Sequence, residues 1–201
     1  TVAKIAEALP NANCGACGYA GCDDYAKAVA HSGAKTNLCI PGGAGTAAAV
    51  SAAMGVVAEE VKPQYAVVHC SGNCNVTEDS MDYQGKQTCA ASKMFYNGKG
   101  SCQFGCLGFG DCMNVCQYGA IAIVNGIAVV DKSVCVGCGM CSKVCPNHLI
   151  SVIPATNTIY VGCSSKDKGA VTRKVCKNGC IGCKKCEKAC EQGAITVTDN
   201  V

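Results

Sequence analysis

Residues 135–146 have the sequence Cys-Val-Gly-Cys-Gly-Met-Cys-Ser-Lys-Val-Cys-Pro. This is the C-x2-C-x2-C-x3-C-P spacing, in which three closely spaced thiolates on one loop bind three iron corners of a cubane cluster. The fourth cysteine of such a run points to a different cluster. Zinc sites instead usually place two C-x2-C pairs about 15–20 residues apart. The spacing therefore predicts an iron–sulfur cluster, rather than zinc, at this block.

Two further cysteine runs flank this block and align with each other without a gap. Residues 102–121 follow the pattern Cys-x3-Cys-Leu-Gly-Phe-Gly-Asp-Cys-x3-Cys-Gln-Tyr-Gly-Ala-Ile, and residues 176–195 follow Cys-x3-Cys-Ile-Gly-Cys-Lys-Lys-Cys-x3-Cys-Glu-Gln-Gly-Ala-Ile. Upstream, residues 65–70 match residues 160–163 more loosely, and both segments end in a cysteine. We therefore predict a repeat domain over residues 65–201, with an insertion containing Cys89 in the first copy.

The spacing assigns most of these cysteines to clusters. The central block takes a fourth ligand from the first repeat, which gives the set Cys135, Cys138, Cys141 and Cys116. Because Phe109 occupies the middle ligand position of the first repeat, an earlier cysteine replaces it, which gives the set Cys102, Cys106, Cys112 and Cys145. The second repeat supplies three usual ligands and one cysteine for a further cluster, namely Cys180, Cys183, Cys186 and Cys190.

A separate four-cysteine block precedes the repeats. Residues 13–22 have the sequence Asn-Cys-Gly-Ala-Cys-Gly-Tyr-Ala-Gly-Cys, and the fourth cysteine begins the sequence Cys39-Ile-Pro-Gly-Gly. Two aspartates after Cys22 favour a helix start and Gly33 favours a helix stop, so this helix would bring Cys39 back to the loop. We predict a helical [4Fe-4S] domain over residues 1–41, with the ligands Cys14, Cys17, Cys22 and Cys39.

Residues 42–64 are rich in glycine and alanine, and we predict that they form a connector between the two domains, with a helix over residues 46–61. Within the first repeat, two short β-branched runs flank Asn125-Gly126, the strongest short hairpin signal. The predicted fold class is a small, loop-rich α+β protein. In it, an N-terminal helical four-cysteine [4Fe-4S] domain is followed by ferredoxin-like polyferredoxin repeats.

In the second repeat the run that matches the first hairpin strand, residues 194–198, reaches Asp199-Asn200, and the chain ends at Val201. The returning strand and its partner cysteine block should begin at this turn. We therefore expect the repeat domain to continue beyond residue 201.

Five cysteines are left without an assigned cluster: Cys70, Cys74, Cys89, Cys163 and Cys176. One interpretation is a further cluster that binds the first three of them together with one of the last two. The other is that some are buried small residues or free thiols. The expected cofactors are therefore multiple [4Fe-4S] clusters, with at least three complete ligand sets in this chain and four or five clusters in all.

Composition and charge narrow the function. Cysteine accounts for 21 of 201 residues, whereas there are three phenylalanines and no tryptophan. The formal net charge is +3, but each four-thiolate cluster adds about −2, so three clusters bring the charge to roughly −3. This balance argues against nucleic acid as a partner. No nucleophile–base pair or phosphate loop indicates chemistry beyond electron transfer, so we expect no catalytic site.

Eight basic residues lie between positions 166 and 188, against two acidic ones: Lys166, Lys168, Arg173, Lys174, Lys177, Lys184, Lys185 and Lys188. We call them the basic group. Such a charge near an exposed cluster would steer an acidic redox partner by long-range attraction. The alternative is an ordinary solvated face that offsets the negative charge of the clusters.

The first cysteine block, together with Gly-Cys-Leu-Gly-Phe-Gly-Asp-Cys at residues 105–112 and Gly-Cys-Ile-Gly-Cys at residues 179–183, resembles the B subunits of the Rnf complexes. These complexes are membrane-bound, ion-translocating ferredoxin:NAD oxidoreductases, and the resemblance covers nearly the whole chain. The sequence departs from the family pattern at Phe109, and at Gln117 and Glu191, where proline often follows the fourth cysteine.

The resemblance implies an iron–sulfur subunit that accepts electrons from reduced soluble ferredoxin and passes them to other subunits of the complex. It also implies that NAD and flavin are bound by those other subunits. It places the protein at the cytoplasmic face of the cell membrane, anchored by an N-terminal helix that would precede this chain. Two other classes compete with it: a catalytic or corrinoid-linked iron–sulfur enzyme subunit, and a zinc scaffold that only binds partners.

Overall fold

The structure is a computed structural model that describes residues 1–198. Its helices are α1 (Val2–Ala8), α2 (Cys22–Ser32), α3 (Gly43–Met54), α4 (Cys89–Lys93), α5 (Asp111–Asn114), α6 (Met140–Val144), α7 (Gly169–Val175) and α8 (Lys185–Ala189). Its strands are β1 (Gln64–Val68), β2 (Ile121–Val124), β3 (Ile127–Val130) and β4 (Ile150–Pro154). The chain is therefore a small α+β protein, as predicted.

The chain divides into two compact units. The first contains Thr1–Ala66, Asp131–Met140 and Val152–Thr158, and the second contains Val67–Val130, Cys141–Ser151 and the segment from Ile159 onward. No described helix is both long and apolar enough to cross a membrane.

Helices α1, α2 and α3 form the core of the first unit, where Ile5, Tyr25 and Val50 are almost completely buried. Helix α2 begins at Cys22 with two aspartates in its first turn, and it ends at Gly33, whose φ of 65° is left-handed. Glycine adopts this conformation without steric penalty. Both predicted boundaries of this helix are confirmed.

The predicted connector, residues 42–64, contains α3. Instead of covering residues 46–61, this helix begins at Gly43 and ends at Met54. It ends there because Gly55 adopts a left-handed φ of 69° that closes its last turn. Val50 is fully buried in the same core as Ile5. The alanine-rich segment predicted as a connector therefore contributes a helix to the N-terminal core.

The strands of the described residues form two small sheets. Strands β2 and β3 pair antiparallel from Ile121↔Val130 to Val124↔Ile127, and the turn residues Asn125 and Gly126 have φ values of 48° and 79°. The predicted hairpin is therefore confirmed. Strand β1 pairs with β4. Between these two strands the chain forms helices α4 and α5, the hairpin and helix α6.

The two sequence repeats have matching local structure. Helix α5 of the first copy and α8 of the second begin at equivalent positions. Two helices do not belong to the repeated segment. Helix α4 lies in the insertion of the first copy, and α7 precedes the second copy. Residues 194–198 contain no assigned strand, and the predicted turn at residues 199 and 200 lies outside the described residues.

Candidate metal centres

All 21 cysteines of the chain lie within the described residues. The deprotonated thiol is the form that binds metal, so each cysteine is a candidate ligand. Among the described residues, no group of three His, Cys, Asp or Glu side chains could hold a single metal ion. In a cubane cluster, by contrast, each thiolate binds a different iron atom, so that the sulfur ligands surround a volume.

The first site lies in the N-terminal unit. One cavity is lined by all four cysteines of the first block, Cys14, Cys17, Cys22 and Cys39. Burial raises the pKa of Cys39 above its usual value, and the three other thiols of the block raise it further. The Asn13 side-chain oxygen accepts a hydrogen bond from the Cys22 amide (2.8 Å), which fixes the loop to the start of α2. The structure thus brings together the four predicted ligands.

Tyr25 on α2 positions the returning segment that carries Cys39. Its hydroxyl donates to the Lys35 carbonyl (2.8 Å) and accepts from the Leu38 amide (3.2 Å). Burial is the main cause that raises the pKa of Tyr25 to about 12. The phenol therefore stays protonated and keeps both hydrogen bonds throughout the neutral pH range.

The second site lies in the second unit. A cavity there is lined by four cysteines, Cys89, Cys106, Cys112 and Cys145. Burial is the main cause that raises the pKa of Cys112 to about 12. The neighbouring thiols that raise it further include Cys106, Cys89 and Cys145. The carboxylate of Asp111, next to Cys112, accepts hydrogen bonds from the amides of Cys89 (3.0 Å) and Ala90 (3.1 Å).

The membership of this second cavity differs from the set predicted by spacing. Cys102, which was expected with Cys106, Cys112 and Cys145, lines a different cavity. Cys89, from the insertion of the first repeat, lines the second cavity in its place. The side chain of Phe109 packs against Tyr83, with ring centroids 5.7 Å apart. The sequence did contain a signal for Cys89. The first repeat lacks a cysteine at Phe109 and has an additional one, Cys89, in its insertion.

A third cavity, of about 270 Å³, lies in the same unit. Its lining includes cysteines from both repeats, namely Cys70, Cys74, Cys102, Cys106, Cys163 and Cys176. Cys74 is exposed, and Cys176 is buried. The spacing-based interpretation that joined Cys70, Cys74 and Cys89 therefore does not match this arrangement, because Cys89 lines the second cavity.

The remaining predicted ligands line none of these three cavities. The Cys116 sulfur accepts from the Ala120 amide (3.4 Å) and the Cys135 sulfur accepts from the Ala66 amide (3.4 Å). Cys141 is buried on α6, and Cys138 is half-buried. In the second repeat, Cys180 is half-buried, Cys183 and Cys186 are exposed, and the Cys190 sulfur accepts from the Ala194 amide (3.3 Å).

The donor chemistry of the first two sites fits [4Fe-4S] clusters. Each cavity is lined by four thiols, the number of ligands that one cubane requires. At the second site the Leu149 amide also donates a hydrogen bond to the Cys145 sulfur (3.4 Å), a contact that stabilises a negatively charged thiolate.

Comparisons with known proteins agree with this chemistry. A family model described as "Putative Fe-S cluster" matches residues 9–41, and one described as "4Fe-4S binding domain" matches residues 128–151. The chain is 40% identical over 200 residues to the B subunit of the Na(+)-translocating ferredoxin:NAD(+) oxidoreductase complex of Acetobacterium woodii. It is 39% identical over 199 residues to the B subunit of the proton-translocating ferredoxin:NAD(+) oxidoreductase complex of Clostridium ljungdahlii. It is 40% identical over 196 residues to the B subunit of the ion-translocating oxidoreductase complex of Methanosarcina acetivorans.

These matches cover 97–99% of the chain. The chain belongs to the family of ion-translocating oxidoreductase complex B subunits. It spans 60%, 70% and 74% of the lengths of these three relatives, respectively. Membership of this B-subunit family confirms the resemblance found in the sequence, and the two family models support iron–sulfur clusters as the cofactor class.

Proposed function

We propose that this chain is the iron–sulfur electron-transfer part of a membrane-bound, ion-translocating ferredoxin:NAD oxidoreductase complex, and that it accepts electrons from reduced ferredoxin. The observation that carries this proposal is the presence, in one small chain, of separate cavities that are each lined by four cysteines. Membership of the B-subunit family supports the same function.

The ligands of the N-terminal cluster would be Cys14, Cys17, Cys22 and Cys39. Those of the second cluster would be Cys89, Cys106, Cys112 and Cys145. From spacing, a third cluster would use Cys116, Cys135, Cys138 and Cys141, and Cys180, Cys183, Cys186 and Cys190 would serve the second repeat. When bound, a [4Fe-4S] cluster supplies a one-electron redox centre whose potential depends on hydrogen bonds to sulfur and on solvent exposure.

The protein's own groups set that environment. Three cysteine sulfurs accept a hydrogen bond from the amide four residues later: Cys116 from Ala120, Cys145 from Leu149, and Cys190 from Ala194. An N–H donor lowers the electron density at a thiolate and so favours the reduced, more negative state of a bound cluster. Burial of Cys39 and Cys112 keeps water away from the sulfur ligands.

We propose that the chain contains no site for NAD or flavin and that other subunits of the complex bind them. The chain would then be a relay between soluble ferredoxin and its neighbours, at the cytoplasmic face of the membrane. The names of the B-subunit relatives, which describe one subunit of a larger complex, support the presence of neighbouring subunits.

Rapid mixing with reduced ferredoxin tests this function. The full-length protein, purified without oxygen, is expected to lose visible absorbance and to develop the electron paramagnetic resonance signal of reduced [4Fe-4S] clusters. Oxidised ferredoxin is the matched control and should change neither signal. If dithionite reduces the clusters but reduced ferredoxin does not, the chain is an iron–sulfur protein with a different electron donor.

A further inference from the structure

The third cavity combines equivalent cysteines from the two sequence repeats. Cys70 and Cys102 come from the first copy, and Cys163 and Cys176 occupy the matching positions of the second copy. Cys70 and Cys163 face each other as partners of an isolated antiparallel bridge. The four sulfur atoms therefore approach the cavity as two pairs related by the internal repeat.

The backbone holds these pairs together. Thr77 forms an antiparallel bridge with Cys176, and its hydroxyl donates to the Val175 carbonyl (2.7 Å). The ring of His69, next to Cys70, bonds the carbonyl of Val161 (2.6 Å), near Cys163. The segments that carry the thiols of the second copy are thus fixed to the first copy near both Cys163 and Cys176.

The sulfur atoms of opposite repeats lie close to one point. A Cβ atom added to Gly72 would lie 3.2 Å from the Cys176 sulfur and 3.7 Å from the Cys70 sulfur. Two of the four sulfur atoms, one from each repeat, are therefore neighbours at this cavity.

The hydrogen bonds at these sulfurs repeat as well. The Cys106 amide donates to the Cys70 sulfur (3.3 Å), and the equivalent Cys180 amide donates to the Cys163 sulfur (3.3 Å). The glycine before each of these amides also bonds back in the same way, Gly105 to the Cys102 carbonyl and Gly179 to the Cys176 carbonyl. Each repeat thus provides two cysteine sulfurs. It also provides a peptide N–H that donates to the first of these sulfurs, and a tight turn that begins at the second cysteine.

We propose that Cys70, Cys102, Cys163 and Cys176 bind one [4Fe-4S] cluster between the two repeats. Four thiols around one cavity, with peptide N–H groups directed at two of them, provide the ligand number and the polar environment that such a cluster requires. Cys106 also lines this cavity, but we assign it to the second site, because its separation from Cys112 equals that of Cys180 from Cys186.

The position of this cluster would give it a role in the relay. Its ligands Cys70 and Cys163 accept hydrogen bonds from the amides of Cys106 and Cys180, which are proposed ligands of the clusters of the first and second repeats. The new cluster would therefore lie in direct contact with the ligands of both. This inference rests on the proposed function only in that it requires the chain to be an iron–sulfur protein.

Thiol labelling of the wild-type, full-length holoprotein tests the proposal without a substitution. N-ethylmaleimide is added without oxygen, and each cysteine is quantified by mass spectrometry before and after the iron is removed with an oxidant and a chelator. Exposed Cys74, at the same cavity, should react in both states. The four proposed ligands should react only after iron removal. If Cys102 and Cys163 react with the iron-loaded protein as completely as Cys74 does, the proposal is wrong.

The double variant Cys102→Ser/Cys176→Ser gives an independent readout. It should contain about four iron and four acid-labile sulfide atoms fewer per chain than the wild type. The matched control Cys74→Ser should keep the wild-type content. A double variant with unchanged iron would overturn this inference and leave the proposed function intact, and a wild-type protein without iron would overturn both. Should the double variant not fold, the labelling of the wild type decides.

Discussion

Tyr25 illustrates how one side chain holds a metal ligand in place. The phenol ring lies in the N-terminal core, and its hydroxyl bridges the Lys35 carbonyl and the Leu38 amide. These backbone groups belong to the segment that returns from α2 to Cys39. Removing the hydroxyl would leave a carbonyl and an amide unpaired at a partly buried position, and such groups are costly to leave without partners.

We predict that Tyr25→Phe lowers the free energy of unfolding by about 1–3 kcal/mol. The measurement is denaturant unfolding of the full-length protein, followed by circular dichroism. Tyr96→Phe is the matched control, because Tyr96 is 86% exposed, and it should change the stability little. Equal stability of the two variants would show that the Tyr25 hydroxyl does not hold the returning segment.

Asp111 has a comparable role at the second site, because its carboxylate accepts from the two amides at the start of α4. We predict that Asp111→Ala lowers the free energy of unfolding by about 1.5–3 kcal/mol, as expected for hydrogen bonds to a charged group. It should also make Cys89 more reactive toward N-ethylmaleimide in the apoprotein. Glu191→Ala, at an exposed position, serves as the control. Unchanged reactivity of Cys89 would contradict this role.

At the scale of elements, the hairpin of β2 and β3 depends on close backbone contact with the loop that carries Cys106. Gly108 has a left-handed φ of 76°, and a Cβ atom there would lie 2.6 Å from the carbonyl oxygen of Gly126 in the hairpin turn. The Asn125 carbonyl in the same turn accepts from the Cys74 amide (2.9 Å). The turn therefore packs against two segments that carry cysteines.

We predict that Gly108→Ala is more destabilising than Gly119→Ala. Both glycines have a left-handed φ, which costs about 1–2 kcal/mol for alanine, but a Cβ on Gly119 would meet no atom within 4 Å. The backbone overlap at Gly108 should add about 1–3 kcal/mol. Chemical denaturation of both variants measures the difference. Equal destabilisation would mean that the hairpin turn moves away freely.

The elements that the sequence predicted well are those with local causes. The helix that ends at Gly33 and the hairpin at Asn125-Gly126 depend on residues next to each other in the chain. Which cavity Cys89 and Cys102 each line depends instead on contacts between segments far apart in the chain, since Cys102 shares a cavity with Cys163 and Cys176. Spacing alone favoured the nearer partners. Whether α3 packs in the N-terminal core or only connects two domains also depends on a contact between distant residues, the burial of Val50 in the same core as Ile5.

At the scale of the whole molecule, the basic group gives one region of the chain a concentrated positive charge. All eight of its residues are exposed, and Lys184 contacts Glu187 at 3.8 Å near exposed Cys183 and Cys186. Long-range attraction of an acidic partner raises association rates and weakens as salt screens the charges.

We predict that Lys184→Glu/Lys185→Glu slows reduction by ferredoxin about tenfold at low salt, because the reversed charges repel an acidic protein. The difference from wild type should disappear at high salt. The control Lys4→Glu/Lys62→Glu reverses the same number of exposed charges outside the basic group and should have a smaller effect. The measurement is stopped-flow absorbance over a series of salt concentrations. Equal rates for all three proteins at low salt would contradict docking at the basic group.

The proposal that the cysteines bind several [4Fe-4S] clusters is tested by measuring iron, zinc and acid-labile sulfide in the full-length protein purified without oxygen, together with its Mössbauer spectrum before and after reduction. The expected result is equal amounts of iron and sulfide, at least about twelve of each per chain, and spectra of [4Fe-4S] clusters that accept one electron each. Stoichiometric zinc without iron would contradict it.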